Sequence, residues 1–186
     1  MGDIKKNEGK LKYGELITIE QIGVGSRVCI DFVDILNSQE GVFIGNTGNG
    51  YILILSENRT TKTYPPRPFR INCGAIHQYI LKDNKTIYLS ELKPGSTLSI
   101  FSLQKIRNAA IGRVKIEKRN LIRVELKVDD TTISCTLQES DSVNILTEDG
   151  FEKSVVDLKI GDKILCLLDE PGRHLGNKIE EDIKEY

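Results

Sequence analysis

The feature that most constrains this chain is punctuation. Short runs of Ile, Leu, Val, Thr and Tyr recur along it, among them residues 16–19, 27–32, 41–44, 51–55, 97–101, 110–117, 121–126 and 131–137, each closed by Gly, Asn, Asp or Pro. Several alternate polar with apolar, as in Arg113-Val-Lys-Ile-Glu117 and Arg123-Val-Glu-Leu126, the period-2 signature of strands with one wet face. Spacings of roughly 8–12 residues between such runs point to antiparallel structure rather than to βαβ units. The aromatic share is only 6% and Trp is absent, so the core must be built of Ile, Leu and Val, residues that favour strands. Only residues 178–186 and 32–36 have a composition suited to a turn or two of helix.

An internal repeat sharpens this reading. Gln21-Ile-Gly-Val-Gly25 aligns without gaps on Glu91-Leu-Lys-Pro-Gly95 and on Asp157-Leu-Lys-Ile-Gly161, each phrase leading into an apolar-rich run. An acidic or amide residue, an apolar plug and a glycine before a strand describe a tight turn in which glycine takes a positive φ. The expected architecture is mainly β: two similar antiparallel β-barrel or sandwich-like modules with a short C-terminal helical tail. Residues 1–13 read as a flexible tail, 14–94 as the first module, and 95–186 as the second module with its closing strand and tail.

Charge and cysteines narrow the function classes. Lys and Arg total 26 against 27 Asp and Glu, so no global field draws the chain to nucleic acid or an anionic membrane. Residues 1–12 contain no apolar h-region, and nothing approaches the ~20 apolar residues of a membrane span, so a cytoplasmic protein is expected. Cys29, Cys73, Cys135 and Cys166 lie far apart with no C-x-x-C pair and read as reduced, buried thiols. Gly45-Asn-Thr-Gly-Asn-Gly50 fits neither phosphate-loop pattern and is better taken as a hairpin turn.

Two polar clusters stand out. In Tyr64-Pro-Pro-Arg-Pro-Phe-Arg-Ile-Asn-Cys-Gly-Ala-Ile-His77 the prolines impose an extended edge or loop. Arg67 and Phe69 point one way along it, and Arg70 and Asn72 the other. A guanidinium fork suits a carboxylate or phosphate, and equally an internal Asp or Glu. The second cluster is Gly172-Arg-His-Leu-Gly176, so each cluster holds one of the chain's two histidines, His77 and His174. Such a pair fits proton transfer, a two-His metal site, or plain structural roles. The basic stretch Arg113-Val-Lys-Ile-Glu-Lys-Arg119 reads as a solvated strand face running to a hairpin tip; an anion or nucleic-acid contact is its sharper alternative, and it lacks the interleaved aromatics of single-strand binders.

Taken in order, Val24-Gly-Ser-Arg-Val-Cys-Ile-Asp31, Glu40-Gly-Val-Phe-Ile-Gly45, Pro66-Arg-Pro-Phe-Arg-Ile-Asn-Cys-Gly-Ala-Ile-His77, Tyr88-Leu-Ser-Glu-Leu-Lys-Pro-Gly95, Ile111-Gly-Arg-Val-Lys-Ile-Glu-Lys-Arg119, Leu137-Gln138 and Gly172-Arg-His-Leu-Gly176 resemble the C-terminal half of the archaeal-type 3-dehydroquinate synthase II family. The resemblance implies NAD-dependent oxidative deamination of 2-amino-3,7-dideoxy-D-threo-hept-6-ulosonate and cyclisation to 3-dehydroquinate, in aromatic amino-acid biosynthesis. A related branch resembles the 3-amino-4-hydroxybenzoate synthases, and a non-catalytic β-rich binding or subunit module is the competing class. Family members also carry an N-terminal half, so the NAD site is expected outside this chain, with a separate chain or a homo-oligomer as partner and a divalent metal as a further cofactor to consider. On residue chemistry within these motifs, His77, His174 and the weaker candidate Lys115 are assigned to proton transfer and electrostatics, and Arg67, Arg70, Asn72 and Arg173 to binding the C7 amino-keto acid.

Overall fold

The computed structural model describes residues 10–170, 173–174, 177–178 and 182–186, the side chains of 173–174 and 177–178 excepted. Its strands are β1 (Leu11–Phe32), β2 (Gly41–Gly45), β3 (Gly50–Leu55), β4 (Arg70–Ala75), β5 (Tyr79–Lys82), β6 (Lys85–Tyr88), β7 (Thr97–Phe101), β8 (Ile106–Val128), β9 (Thr131–Gln138), β10 (Asn144–Leu146), β11 (Glu152–Ser154), β12 (Lys163–Leu168), β13 (Arg173–His174) and β14 (Asn177–Lys178). The main sheet runs β3-β12-β1-β8-β7-β2-β5-β6, with β4 beside β1 and β9 beside β8. Because β2 also pairs with β3, its path closes into a ring. The protein is mainly β, as the alternation predicts, and every pairing within the main sheet is antiparallel.

Two long strands replace four expected short ones. Residues 16–19 and 27–32 belong to one strand, β1, and residues 110–117 and 121–126 to another, β8. β1 and β8 pair with each other from Glu15↔Lys127 to Phe32↔Ile111. The glycine-containing middle of β1 and the polar middle of β8 therefore do not turn back: register shifts at Leu16/Thr18, Gln21/Gly23 and Asp31/Phe32 absorb the irregularity as bulges. The basic stretch 113–119 accordingly lies within β8 and not at a hairpin tip. The turn at Gly45–Gly50 does join a β2–β3 hairpin.

Two of the three repeated phrases share one structure. Leu89–Glu91 and Val155–Asp157 are 3-10 turns, followed by the core plugs Leu92 and Leu158 and by Gly95 and Gly161 at φ 92° and 97°. In each, the backbone N–H of the glycine reaches back to a strand residue, Ile111 O or Leu16 O, at 2.8 Å. A side chain at that φ is strained, which explains why glycine ends both phrases. Gly25 departs from them: it lies in the β1–β8 ladder opposite Arg119, and it is Gly23 that has the positive φ.

Residues 33–36 bend without forming helix, because Leu36 is drawn into the core and its N–H donates to Pro68 O at 2.8 Å. At the N-terminus Leu11, Lys12 and Tyr13 pair with Leu167, Cys166 and Leu165, while 1–9 lie outside the described residues. At the C-terminus 177–178 is strand, 179–181 lie outside the described residues, and 182–186 carry no helix.

The main core joins aliphatic residues from most of the strands, including Leu16, Val28, Ile30, Ile52, Ile71, Leu98, Ile122, Leu126 and Ile164. Each fully buried side chain of this kind contributes about 1.5–3 kcal/mol of transfer free energy. A second cluster of Phe43, Tyr51, Leu53, Phe101, Leu165 and Leu167 takes the alternate residues of β2, β3, β7 and β12. All four cysteines are buried and free, as the sequence leads one to expect. Among the described residues no helix is long and apolar enough to cross a membrane.

Candidate functional site

The alternation within β1 sends Val28, Ile30 and Phe32 into the core and Arg27, Cys29 and Asp31 to the opposite face. Register brings charge to both sides of that row. On β8, Arg113, Lys115 and Glu117 stand opposite Asp31, Cys29 and Arg27. On β4, Arg70 and Asn72 stand opposite Asp31 and Cys29. The β4 pairing then skips Cys73, and Gly74, at φ 80°, carries the resulting bulge. A Cβ there would come within 2.1 Å of Thr136 O, so only glycine lets β4 press against β9.

Asp31 is the centre of one half of this face. Arg70 embraces it with Nε to Oδ1 at 2.7 Å and Nη2 to Oδ2 at 3.1 Å, and Arg113 Nε donates to Oδ2 at 2.7 Å. Burial works against charge on Asp31, yet the hydrogen bonds from Arg70 and Arg113 outweigh it and hold the carboxyl below its ordinary range. The Arg113 side chain is 60% exposed, and its two Nη groups have no partner among the described residues. It lines an open cleft with Asp31, Phe69, Val33 and Ile35.

The other half centres on Gln138, at the end of β9. Its Oε1 accepts from Arg27 Nη1 at 2.6 Å and from Asn72 Nδ2 at 2.8 Å. Arg27 Nη2 in turn sits 3.2 Å from Glu117 Oε1, which Lys115 Nζ approaches to 3.1 Å. Arg119 also pairs with Glu117, and burial raises the Cys29 thiol to about 11, so that sulfur stays protonated among the cations.

The sequence-predicted residues therefore divide. Arg70, Asn72 and Lys115 come together around Cys29. Arg67 lies farther along the loop before β4 and is committed elsewhere, with Nη2 2.8 Å from Glu57 Oε2 and its guanidinium 4.2 Å from the Tyr64 ring centroid. Burial raises the Glu57 carboxyl even though Arg67 opposes it. This is the internal-partner alternative that sequence leaves open for an arginine.

His77 sits at the surface just past β4, its Nε2 2.8 Å from Asn46 Oδ1. Thr136 Oγ1 donates to that same oxygen at 2.9 Å, and burial lowers the imidazole pKa. Nδ1 of His77 has no partner among the described residues. The side chains of Arg173 and His174 lie outside the described residues; their backbones pair with Lys178 and Asn177. Arg27, Asp31, Arg113 and Gln138 form the centre of the face; of these, sequence marks only Arg113, through the anion-contact alternative for the basic stretch 113–119. The available signal was the Arg27-x-Cys29-x-Asp31 alternation together with the oppositely phased Arg113-x-Lys115-x-Glu117.

Among the described residues, no cradle for NAD or for a divalent metal is formed. Among the described residues the helical segments include only three-residue turns after β6 and β11, too short to receive a pyrophosphate. The glycine-rich hairpin turn uses its Gly48 N–H to hold the Glu185 carboxylate at 2.9 Å. No three His, Cys, Asp or Glu side chains among the described residues are grouped so as to hold a metal ion.

Comparison with known proteins agrees with the motif resemblance. Residues 13–186 match the 3-dehydroquinate synthase II C-terminal domain. Relatives named 3-dehydroquinate synthase include that of Methanococcus maripaludis, 43% identical over 178 residues, covering 95% of this chain and 49% of the relative. Those of Methanosarcina barkeri (98% of this chain, 48% of the relative) and Methanothrix thermoacetophila (94% and 49%) are each 39% identical. The chain thus spans about half the length of the curated relatives it matches, and no solved structure matches it. With nearly all of its residues matching the family's C-terminal domain, the chain belongs to the 3-dehydroquinate synthase II family.

Proposed function

We propose that this chain provides the carboxylate-binding part of a cytoplasmic 3-dehydroquinate synthase II, which converts 2-amino-3,7-dideoxy-D-threo-hept-6-ulosonate to 3-dehydroquinate with NAD. The observation that carries the reading is Arg113: its Nε is pinned on a buried carboxylate, neither Nη has a partner among the described residues, and the largely exposed side chain lines an open cleft. That is how a guanidinium is presented to a substrate carboxylate, oriented in advance and left with two parallel donors. Across the face Arg27, Arg70, Arg113 and Lys115 outnumber Asp31 and Glu117, an imbalance that an anionic ligand corrects.

Under this reading Arg70 holds Asp31, and Asp31 aims Arg113. Lys115, two residues along β8 from Arg113 and paired with Glu117, adds positive charge to the same strand face, which favours negative charge developing on a carbonyl oxygen. Oxidative deamination releases a proton, and ring closure moves one from carbon to the new alkoxide oxygen; His77, with Nε2 held by Asn46, offers Nδ1 to take up and return that proton. NAD supplies the hydride acceptor when bound; this chain's described residues do not build its site, and the reading assigns that site to the other half of the enzyme. The two structurally matched turns, at Gly95 and Gly161, support the finer reading of two related β modules, 14–94 and 95–186. The buried free thiols suit a reducing compartment.

The test is to supply the purified chain with NAD and the amino-keto acid, alone and together with the N-terminal half of the Methanococcus maripaludis relative, and to follow reduced cofactor. Turnover is expected only in the second mixture. Absence of turnover in both overturns the assignment in favour of a non-catalytic binding module.

A further inference from the structure

Gln138 has an asymmetric set of partners. A carboxamide oxygen has two lone pairs, and both on Gln138 are occupied, by Arg27 Nη1 at 2.6 Å and Asn72 Nδ2 at 2.8 Å. Two donors converging on one atom decide which end of the amide faces them. The NH2 group must then point the other way, and it has no hydrogen-bond partner among the described residues and is not among the buried orphan atoms.

The two donors are themselves anchored. The Arg27 side chain is only 7% exposed and reaches Glu117, and Asn72 is 2% exposed, with its Oδ1 accepting from Gly74 N–H at 3.4 Å. Turning the Gln138 amide over would set its NH2 against a guanidinium and an amide donor, leaving two buried donors unpaired.

We propose that Gln138 is a ligand-contacting residue whose locked NH2 group donates to a carbonyl or carboxylate oxygen of the bound molecule, with Arg27 and Asn72 as its positioning residues. This deepens the reading of the same face given above and rests on it for the identity of the substrate. A locked donor differs from an ordinary surface glutamine in having no alternative orientation. It rewards an oxygen acceptor at one place and rejects an ammonium or N–H there. It therefore discriminates keto and carboxylate ends from the amino end of a C7 amino-keto acid, or of any small acid that binds.

The experiment uses the whole chain, labelled with nitrogen-15, and watches the side-chain amide pair of Gln138, assigned from its loss in Gln138→Glu. The probes are 3-dehydroquinate, acetate and inorganic phosphate, added separately. Displacement of that pair by 3-dehydroquinate is expected, with affinity at least tenfold weaker in Gln138→Met, which keeps the length and removes the donor, and in Gln138→Glu, which keeps the acceptor for Arg27 and Asn72. Displacement by acetate or phosphate but not by 3-dehydroquinate upholds the donor and removes the substrate reading. Binding of 3-dehydroquinate that leaves the Gln138 pair unmoved, or equal affinity in Gln138→Met, overturns the Gln138 assignment and leaves the substrate reading standing. Failure of all three probes to move it overturns the assignment outright.

Discussion

Two carboxylates in this protein are buried to the same degree and paired to arginine, yet they do different things. Glu40 is 2% exposed and Asp31 is 3% exposed. Glu40 accepts from Arg107 Nε at 2.7 Å and Nη2 at 3.1 Å and from Asn37 N–H at 2.8 Å. Arg107 spends two of its remaining donors on Asp34 Oδ2 and Ile35 O, both at 3.0 Å. That node is nearly closed: it fastens the 33–40 loop to β8 and keeps a single Nη1 N–H unspent. Around Asp31, Arg70 closes one side, but Arg113 spends only its Nε. What separates a structural clamp from the proposed binding site is the hydrogen-bonding capacity left over, and neither charge nor burial reveals it.

The comparison breaks most visibly at Arg107. Arg107→Leu strands Glu40 in the interior, and a loss of about 3–5 kcal/mol is expected in chemical denaturation, with a smaller fall in 3-dehydroquinate affinity than at Arg113, because Arg107 touches the cleft only through the loop it fastens. Asp31→Asn removes one charge from between two guanidinium groups; a loss of about 2–3 kcal/mol is expected, together with weaker ligand binding because Arg113 is no longer aimed. Arg113→Lys reverses the Arg107 pattern. Stability should change by under about 0.5 kcal/mol because the side chain is largely exposed, while affinity falls about tenfold, or about 1.4 kcal/mol. Equal stability losses at Arg107 and Arg113 would sink the distinction.

Acid tests both nodes together. For Glu40, burial opposes ionisation but the hydrogen bonds from Arg107 and Asn37 prevail, so its folded pKa lies below 4.5; Asp31 likewise lies below 3.8. A depressed folded pKa means that the unfolded chain binds protons first. The stabilisation is therefore complete above those ordinary values and is lost as pH falls through the lower folded ones. Denaturant titrations below about pH 4.5 should show a shallower acid loss in Glu40→Gln than in the parent protein. The smallest effect belongs to His77, whose burial lowers its pKa from 6.5. Its unfolded form protonates first, so stability should slope gently downward as pH drops below 6.5, and His77→Gln should remove that slope.

Much of the fold was legible because strand alternation and glycine placement are local properties. Val28, Ile30 and Phe32 announce a core face, and the phrases ending at Gly95 and Gly161 announce their turns. Gly23 and Gly25 were misread for the same reason: a glycine that permits a turn also permits a bulge, and which occurs depends on whether another strand pairs on through it. β8 does so here. At the site, sequence marked Arg70, Asn72 and Lys115 by residue type but treated Arg67 as their equal, since the buried Glu57 that claims Arg67 lies ten residues away. It passed over Arg27 and Gln138, whose roles come from each other across 111 residues of chain.

Taken alone, then, the residue order determined a β-rich chain with an aliphatic core, free thiols, two glycine-ended turns and a family likeness carried by ordered motifs. Tertiary structure alone decided that β1 and β8 run unbroken side by side, that Asp31 gathers Arg70 and Arg113, and that Gln138 turns its amide donors outward. The physical reason is that a hydrogen-bonding group has a fixed number of partners. How many of those places the fold has already filled depends on strand register, which joins residues far apart in the chain.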